Sequence, residues 1–129
     1  MFSNPLGWFE NCNLPEQFAR SVRPLVRIWK SKRDRIFTGS IIPIGQPPDG
    51  ASCTGFASIQ PDATGIAVFF RELNPNDTCD FEWPGKKVPA TPEIEILAGN
   101  GHVAWADGKL RATIPSPLDY LFATIGRHD

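Results

Sequence analysis

The chain has 129 residues, of which 41% are hydrophobic and 21% charged. That is enough for one domain with a core, and it fits a soluble globular protein. No apolar run approaches the roughly 20 residues that a membrane helix requires, and the start, MFSNPLGWFENC, lacks the basic n-region and continuous apolar core of a signal peptide. Three cysteines, Cys12, Cys53 and Cys79, are an odd number without metal-type spacing. Free thiols in a reducing, cytoplasmic setting are expected from that count.

Charge is unevenly distributed. Residues 1–35 hold seven Lys/Arg against three Asp/Glu, and residues 36–129 hold six against eleven. The basic part lies between Arg20 and Arg35 and reads as a solvated helix face. Aromatics do not interleave with it as nucleic-acid recognition requires, so no nucleic-acid partner is expected, and no membrane partner either.

Residues 1–12 carry Phe2, Leu6, Trp8 and Phe9 around Pro5 and Gly7, too apolar for a free tail. Asn13-Leu14-Pro15-Glu16 reads as a capping-box helix start. Leu14, Phe18, Val22, Leu25 and Trp29 then recur every three to four residues on one face. Pro24 has no N–H, which predicts two helical pieces, about 14–22 and 24–34.

Ile36 to Ile44 is expected as a strand broken at Pro43, followed by a turn over Gln46-Pro47-Pro48-Asp49-Gly50. Strands are predicted at Cys53–Gln60 and Gly65–Leu73, joined through Pro61–Thr64. After a turn at Asn74–Asp77, Thr78–Trp83 alternates, with Cys79, Phe81 and Trp83 on one face and Asp80 and Glu82 on the other. Pro84-Gly85 ends it.

Asn100-Gly101 and Asp107-Gly108 both read as two-residue hairpin turns. Together they predict a three-stranded meander with Ala98 opposite Val103, Ile96 opposite Trp105, Trp105 opposite Leu110 and Val103 opposite Ala112. Ile94, Ile96, Ala98, Val103, Trp105, Leu110 and Ala112 would share the apolar face, and Glu93, Glu95, His102, Lys109 and Arg111 the other. Leu118 to Ile125 supplies a last strand. The fold class is mainly β: an antiparallel β-sandwich of about eight strands preceded by an N-terminal helical segment. The helix is expected against an edge or end of the sandwich, or against something outside this chain.

Candidate chemistry is sparse. Asp77, Asp80 and Glu82 lack an EF-hand loop and read as solvated strand acids, so no metal or cofactor is expected. His102 and His128 are far apart in sequence, and nothing places a base beside Cys53. No G-x-S-x-G, P-loop or dinucleotide fingerprint occurs. Trp105 and Trp83 are in phase with core residues, and Trp29 belongs to the helix face. Trp8 has no periodicity to account for it, which marks Trp8 and its neighbour Glu10 as candidate substrate-binding residues. No residue is assigned a catalytic role.

NPLGWFENCNLP, IWKSKRDRIFTGSIIPIGQPPDG, TGF at 54–56 and FRELN at 70–74 resemble the C-terminal part of melibiase-like glycoside hydrolases, the alpha-galactosidase group. The resemblance covers most of residues 4–75 and consists of junction and scaffold motifs. In that group a (β/α)₈ barrel is followed by an antiparallel β-sandwich. The resemblance implies that residues 1–35 are a remnant of the last barrel strand and helix, and that residues 36–129 are the sandwich domain. The family's two catalytic aspartates belong to earlier barrel strands, and nothing matching them is present. The implied protein is a non-catalytic portion of a glycoside hydrolase, inactive alone, whose partner is a catalytic barrel or a second copy of itself. The alternative is a stand-alone carbohydrate-binding or protein-interaction sandwich. Two or more tryptophans exposed on a sheet face would favour the alternative. Buried Trp83 and Trp105 with an exposed apolar helix face would favour the first.

Overall fold

A computed structural model describes residues 15–84 and 91–126. Trp8, Glu10, Cys12, Asn13, Leu14, Gly85 and His128 lie outside the described residues. One helix, α1 (Glu16–Thr38), precedes eight strands: β1 (Ser40–Gly45), β2 (Cys53–Ile59), β3 (Gly65–Arg71), β4 (Thr78–Phe81), β5 (Glu93–Gly99), β6 (His102–Ala106), β7 (Lys109–Thr113) and β8 (Asp119–Gly126). The strands form two antiparallel sheets, a five-stranded one ordered β1-β2-β3-β8-β5 and a three-stranded one ordered β4-β7-β6. The mainly β architecture read from the sequence is therefore present. No described helix is long and apolar enough to cross a membrane.

The helix differs from expectation in three ways. It is continuous through Pro24, its ninth residue, although a proline there removes one backbone donor from the interior of the helix. It starts on Pro15 with no side-chain cap; the Pro15 carbonyl accepts from the N–H groups of Phe18 and Ala19, and Glu16 accepts from Arg20 at 2.5 Å. It also runs on to Thr38, so the first strand begins at Ser40. The cause is tertiary. Ile36 is fully buried, and its carbonyl accepts the Ser58 hydroxyl at 2.7 Å, while the Arg35 carbonyl accepts Gln60 Nε2 at 2.6 Å. These bonds satisfy carbonyls of the last turn, which would otherwise lack partners.

The helix does not pack at an edge or end. Its C-terminal half lies on the outer face of the five-stranded sheet, where Trp29 and Ile36 bury against Ile66, Val68 and Phe122. Strand alternation sends the opposite set inward: Ala57, Ala67, Phe69, Leu121, Ala123 and Ile125 meet Phe81, Trp83, Val103, Leu110 and Ala112 between the sheets. Phe69 and Phe81 touch edge to face, with centroids 4.9 Å apart. Trp105 packs partly against this core, and the Trp83 indole N–H donates to the Ala63 carbonyl at 2.9 Å. Pro43 sits inside β1 and does not break it. β1 is an edge strand, where a missing donor is tolerated.

The meander is half right. β6 and β7 pair in the expected register, Trp105 with Leu110 and Val103 with Ala112, and Asp107 and Gly108 both have positive φ. β5, however, pairs with β8 in the other sheet. Positive φ falls on Gly99 and Gly101 and not on Asn100, so the conformation a tight hairpin needs is not formed. The chain turns a corner between sheets there. A Cβ on Gly99 would sit 2.0 Å from the Tyr120 carbonyl oxygen, and one on Gly101 2.0 Å from that of Thr113. A register shift between Ile96 and Ala98 also splits the supposed common face. Ile94 packs in the inter-sheet core, whereas Leu97 and Ala98 pack with the helix.

The free-thiol expectation is overturned. Cys53 and Cys79 form a disulfide with Cα atoms 6.4 Å apart. Cys53 opens β2 in one sheet and Cys79 lies in β4 of the other. An odd count leaves room for a pair, and only the sheet packing brings these two together.

Candidate functional site: an aromatic trough beside the helix

The helix covers only part of the outer sheet face. The same alternation that buries Phe69 and Leu121 turns Phe70 and Tyr120 outward on neighbouring strands, where they are direct cross-strand partners. Thr54 is opposite Phe70, and Pro43 is opposite Phe56. Phe56 is 45% exposed and Phe70 38%. They floor a mostly apolar cavity of about 800 Å³, walled by Gln46, Pro47 and Pro48 on one side and Leu118 on another. Tyr120 links the trough to the helix cluster. Burial pushes its hydroxyl pKa up, and the neighbouring Asp119 adds to this, so at neutral pH it is a hydrogen-bond donor.

The walls are built. Glu72 Oε2 accepts the backbone N–H groups of Asp49, Gly50 and Ser52 at 3.3, 2.7 and 3.1 Å. Asp49 in turn accepts the Ala51 N–H at 2.9 Å, and that bond, with contributions from Ser52, holds its carboxyl below the usual carboxylate range. The turn predicted at 46–50 is thus fixed as one wall of the trough. At the other wall Leu118 has φ +57 and is 74% exposed. A non-glycine residue in that region is strained by roughly 1–2 kcal/mol, and the large apolar side chain of Leu118 stands mostly in solvent at the rim of the trough. Leu118→Gly is expected to stabilise the isolated domain, by about 0.5–1 kcal/mol in urea unfolding, while removing a wall of the trough. A loss of stability would show that Leu118 packs in a way its exposure does not reveal.

The residues singled out in the sequence do not converge on this site. Asp80 is opposite Arg111 and accepts from its Nε and Nη2 at 2.8 and 3.0 Å; that bond lowers the Asp80 pKa. Glu82 pairs with Lys109 at 3.6 Å. His102 is exposed on β6, and Cys53 is in the disulfide. Trp8 and Glu10 are outside the described residues. The trough's aromatic floor is phenylalanine and tyrosine on the outward phase of strands that otherwise read as core, which hides it in the sequence. The usable signal was parity: Phe56, Phe70 and Tyr120 sit one residue out of phase with Ala57, Phe69 and Leu121. The chain matches no protein-family model, no curated protein and no solved structure.

Proposed function

We propose that this chain is a non-catalytic β-sandwich module of an alpha-galactosidase-like glycoside hydrolase, built to dock on a catalytic barrel. One observation carries the reading. The described tryptophans Trp29 and Trp83 are buried and Trp105 packs against the core, whereas Phe18, on the same helix face as Trp29, is 47% exposed. Val22 and Leu25 between them are only half-buried. A face that is apolar beyond its own sheet is suited to a second surface, and burying each such side chain is worth roughly 1.5–3 kcal/mol. The junction motifs of residues 4–75 support a barrel as that surface, with Trp8 and Glu10 at its sugar-facing edge. The disulfide supports an oxidising compartment in place of the cytoplasm.

Purified chain is expected to show no turnover of a chromogenic alpha-galactoside, because hydrolysis needs two carboxyl groups about 5–10 Å apart around the bond. A separately expressed barrel of the group is expected to bind it, and Phe18→Glu should weaken that binding by roughly tenfold or more. Turnover by the chain alone that vanishes in Glu10→Gln, or indifference of binding to Phe18→Glu, would overturn the reading. The trough's aromatic floor favours a second reading, a carbohydrate-binding module, since flat rings stack on sugar faces. Saturable shifts of Tyr120 or Phe70 resonances on titration with galactosides would support it.

A further inference from the structure

The five-stranded sheet carries the helix and a hollow on one face. The N-terminal half of α1 presents Phe18, Val22 and Val26, four residues apart, with Arg23, Arg27 and Lys30 beside them. The hollow is the trough, floored by Phe56, Phe70 and Tyr120, with Glu72 and Asp119 among its lining residues and Asp49 on the adjoining wall.

We propose that this trough receives the N-terminal half of α1 from a second copy of the chain, reciprocally, so that two copies close face to face about a two-fold axis. This rests on the reading of the face as a docking surface and names a partner for it when no barrel is present. Three matches support it. The first is charge: residues 16–35 hold seven basic side chains against two acidic, and residues 36–129 hold six against eleven. In the mostly apolar hollow the carboxylates are those of Glu72 and Asp119, and the Arg71 guanidinium beside them is turned to loop carbonyls. Arg23, Arg27 and Lys30 of the incoming helix therefore meet two acids, which also fixes orientation. The second is length. Phe18 to Val26 spans ~12 Å of helix, and the trough crosses from β1 to β8, three strand spacings or ~14 Å. Anchors at i, i+4 and i+8 are what an apolar groove reads in an amphipathic helix. The third is symmetry. A two-fold pair needs one self-complementary patch on each copy, and the helix that carries the anchors packs its C-terminal half on the sheet face that holds the hollow. Each contact then occurs twice, which brings a short helix toward the roughly 1,200–2,000 Å² that a stable interface buries.

The test uses the whole chain and two variants, Phe18→Glu in the helix and Phe56→Lys in the trough. Far-ultraviolet circular dichroism and urea unfolding would first establish that both variants fold. By sedimentation equilibrium the parent chain should approach twice its 14.3 kDa mass with rising concentration. Each variant alone should associate at least about tenfold more weakly. Mixed in equal amounts they should pair again, because one intact helix meets one intact trough and Glu meets Lys in the other contact. A variant damaged only in its fold would not be rescued by mixing. A parent chain monomeric at every concentration, undiminished association in either variant, or failure of the mixture to pair would each overturn the proposal. Binding of a separate barrel by such a monomer would leave the docking reading standing and refute only the self-pairing. Saturation of the trough by galactosides without dimerisation would likewise refute it.

Discussion

Arg71→Met is expected to lower the stability of the domain by about 3–4 kcal/mol, which is a large share of the roughly 5–15 kcal/mol a domain has. Arg71 ends β3 and is 7% exposed. Its guanidinium donates to the carbonyls of Asn74, Ile114, Pro115 and Pro75, at 2.9, 2.8, 2.7 and 3.4 Å. One side chain thereby ties the β3–β4 connection to the β7–β8 connection. Methionine keeps the length of the stem and removes the head, so the carbonyls lose a charged donor without a large cavity forming. Bonds to charged groups contribute about 1.5–3 kcal/mol each, less than additively. Arg71→Lys should fall between the two, since a compact ammonium cannot span both loops as a planar fork does. Urea midpoints at an unchanged slope measure this directly. A shift under about 1 kcal/mol for the methionine variant would show that water replaces the guanidinium at little cost.

The second large effect concerns the disulfide. Cys53 and Cys79 are 26 residues apart, and a closed loop of that length stabilises by about 3.5 kcal/mol through the entropy it removes from the unfolded chain. Reduction, or the double variant Cys53→Ala/Cys79→Ala, should lower the unfolding free energy by that order. The link joins β2 to β4, and therefore one sheet to the other. Unequal loss of hydrogen-exchange protection is expected, larger in β4 than in β3, because β4 is a four-residue edge strand. Equal stability with and without dithiothreitol would place the bond outside the cooperative unit.

How far the sequence reveals this fold depends on whether the deciding contact is local. The alternation of Cys79, Phe81 and Trp83 and the Asp107-Gly108 turn are local, and both match the structure. Asn100-Gly101 carries the same turn chemistry as Asp107-Gly108, yet β8 competes for β5 and wins, with Gly99 and Gly101 fitting against the backbones of Tyr120 and Thr113. Helix length was set by Ser58 and Gln60, more than twenty residues away from Ile36 and Arg35. Of the trough, only its wall turn at 46–50 was legible. Its floor depends on which strands are neighbours, and pattern within one strand does not reveal that.

The placement of β8 has a consequence for synthesis. β8 lies between β3 and β5 in the sheet but comes last among the described strands. A nascent chain that has emerged as far as residue 118 can pair β1, β2 and β3, while β5 has no ladder to join. β3 then presents a bare edge, with Ile66, Val68 and Phe70 along one side, the kind of edge to which another strand adds. The order of translation thus leaves the sheet open until its second-to-last position is filled. Ribosome-bound chains arrested just before Asp119 would be the species most in need of a chaperone.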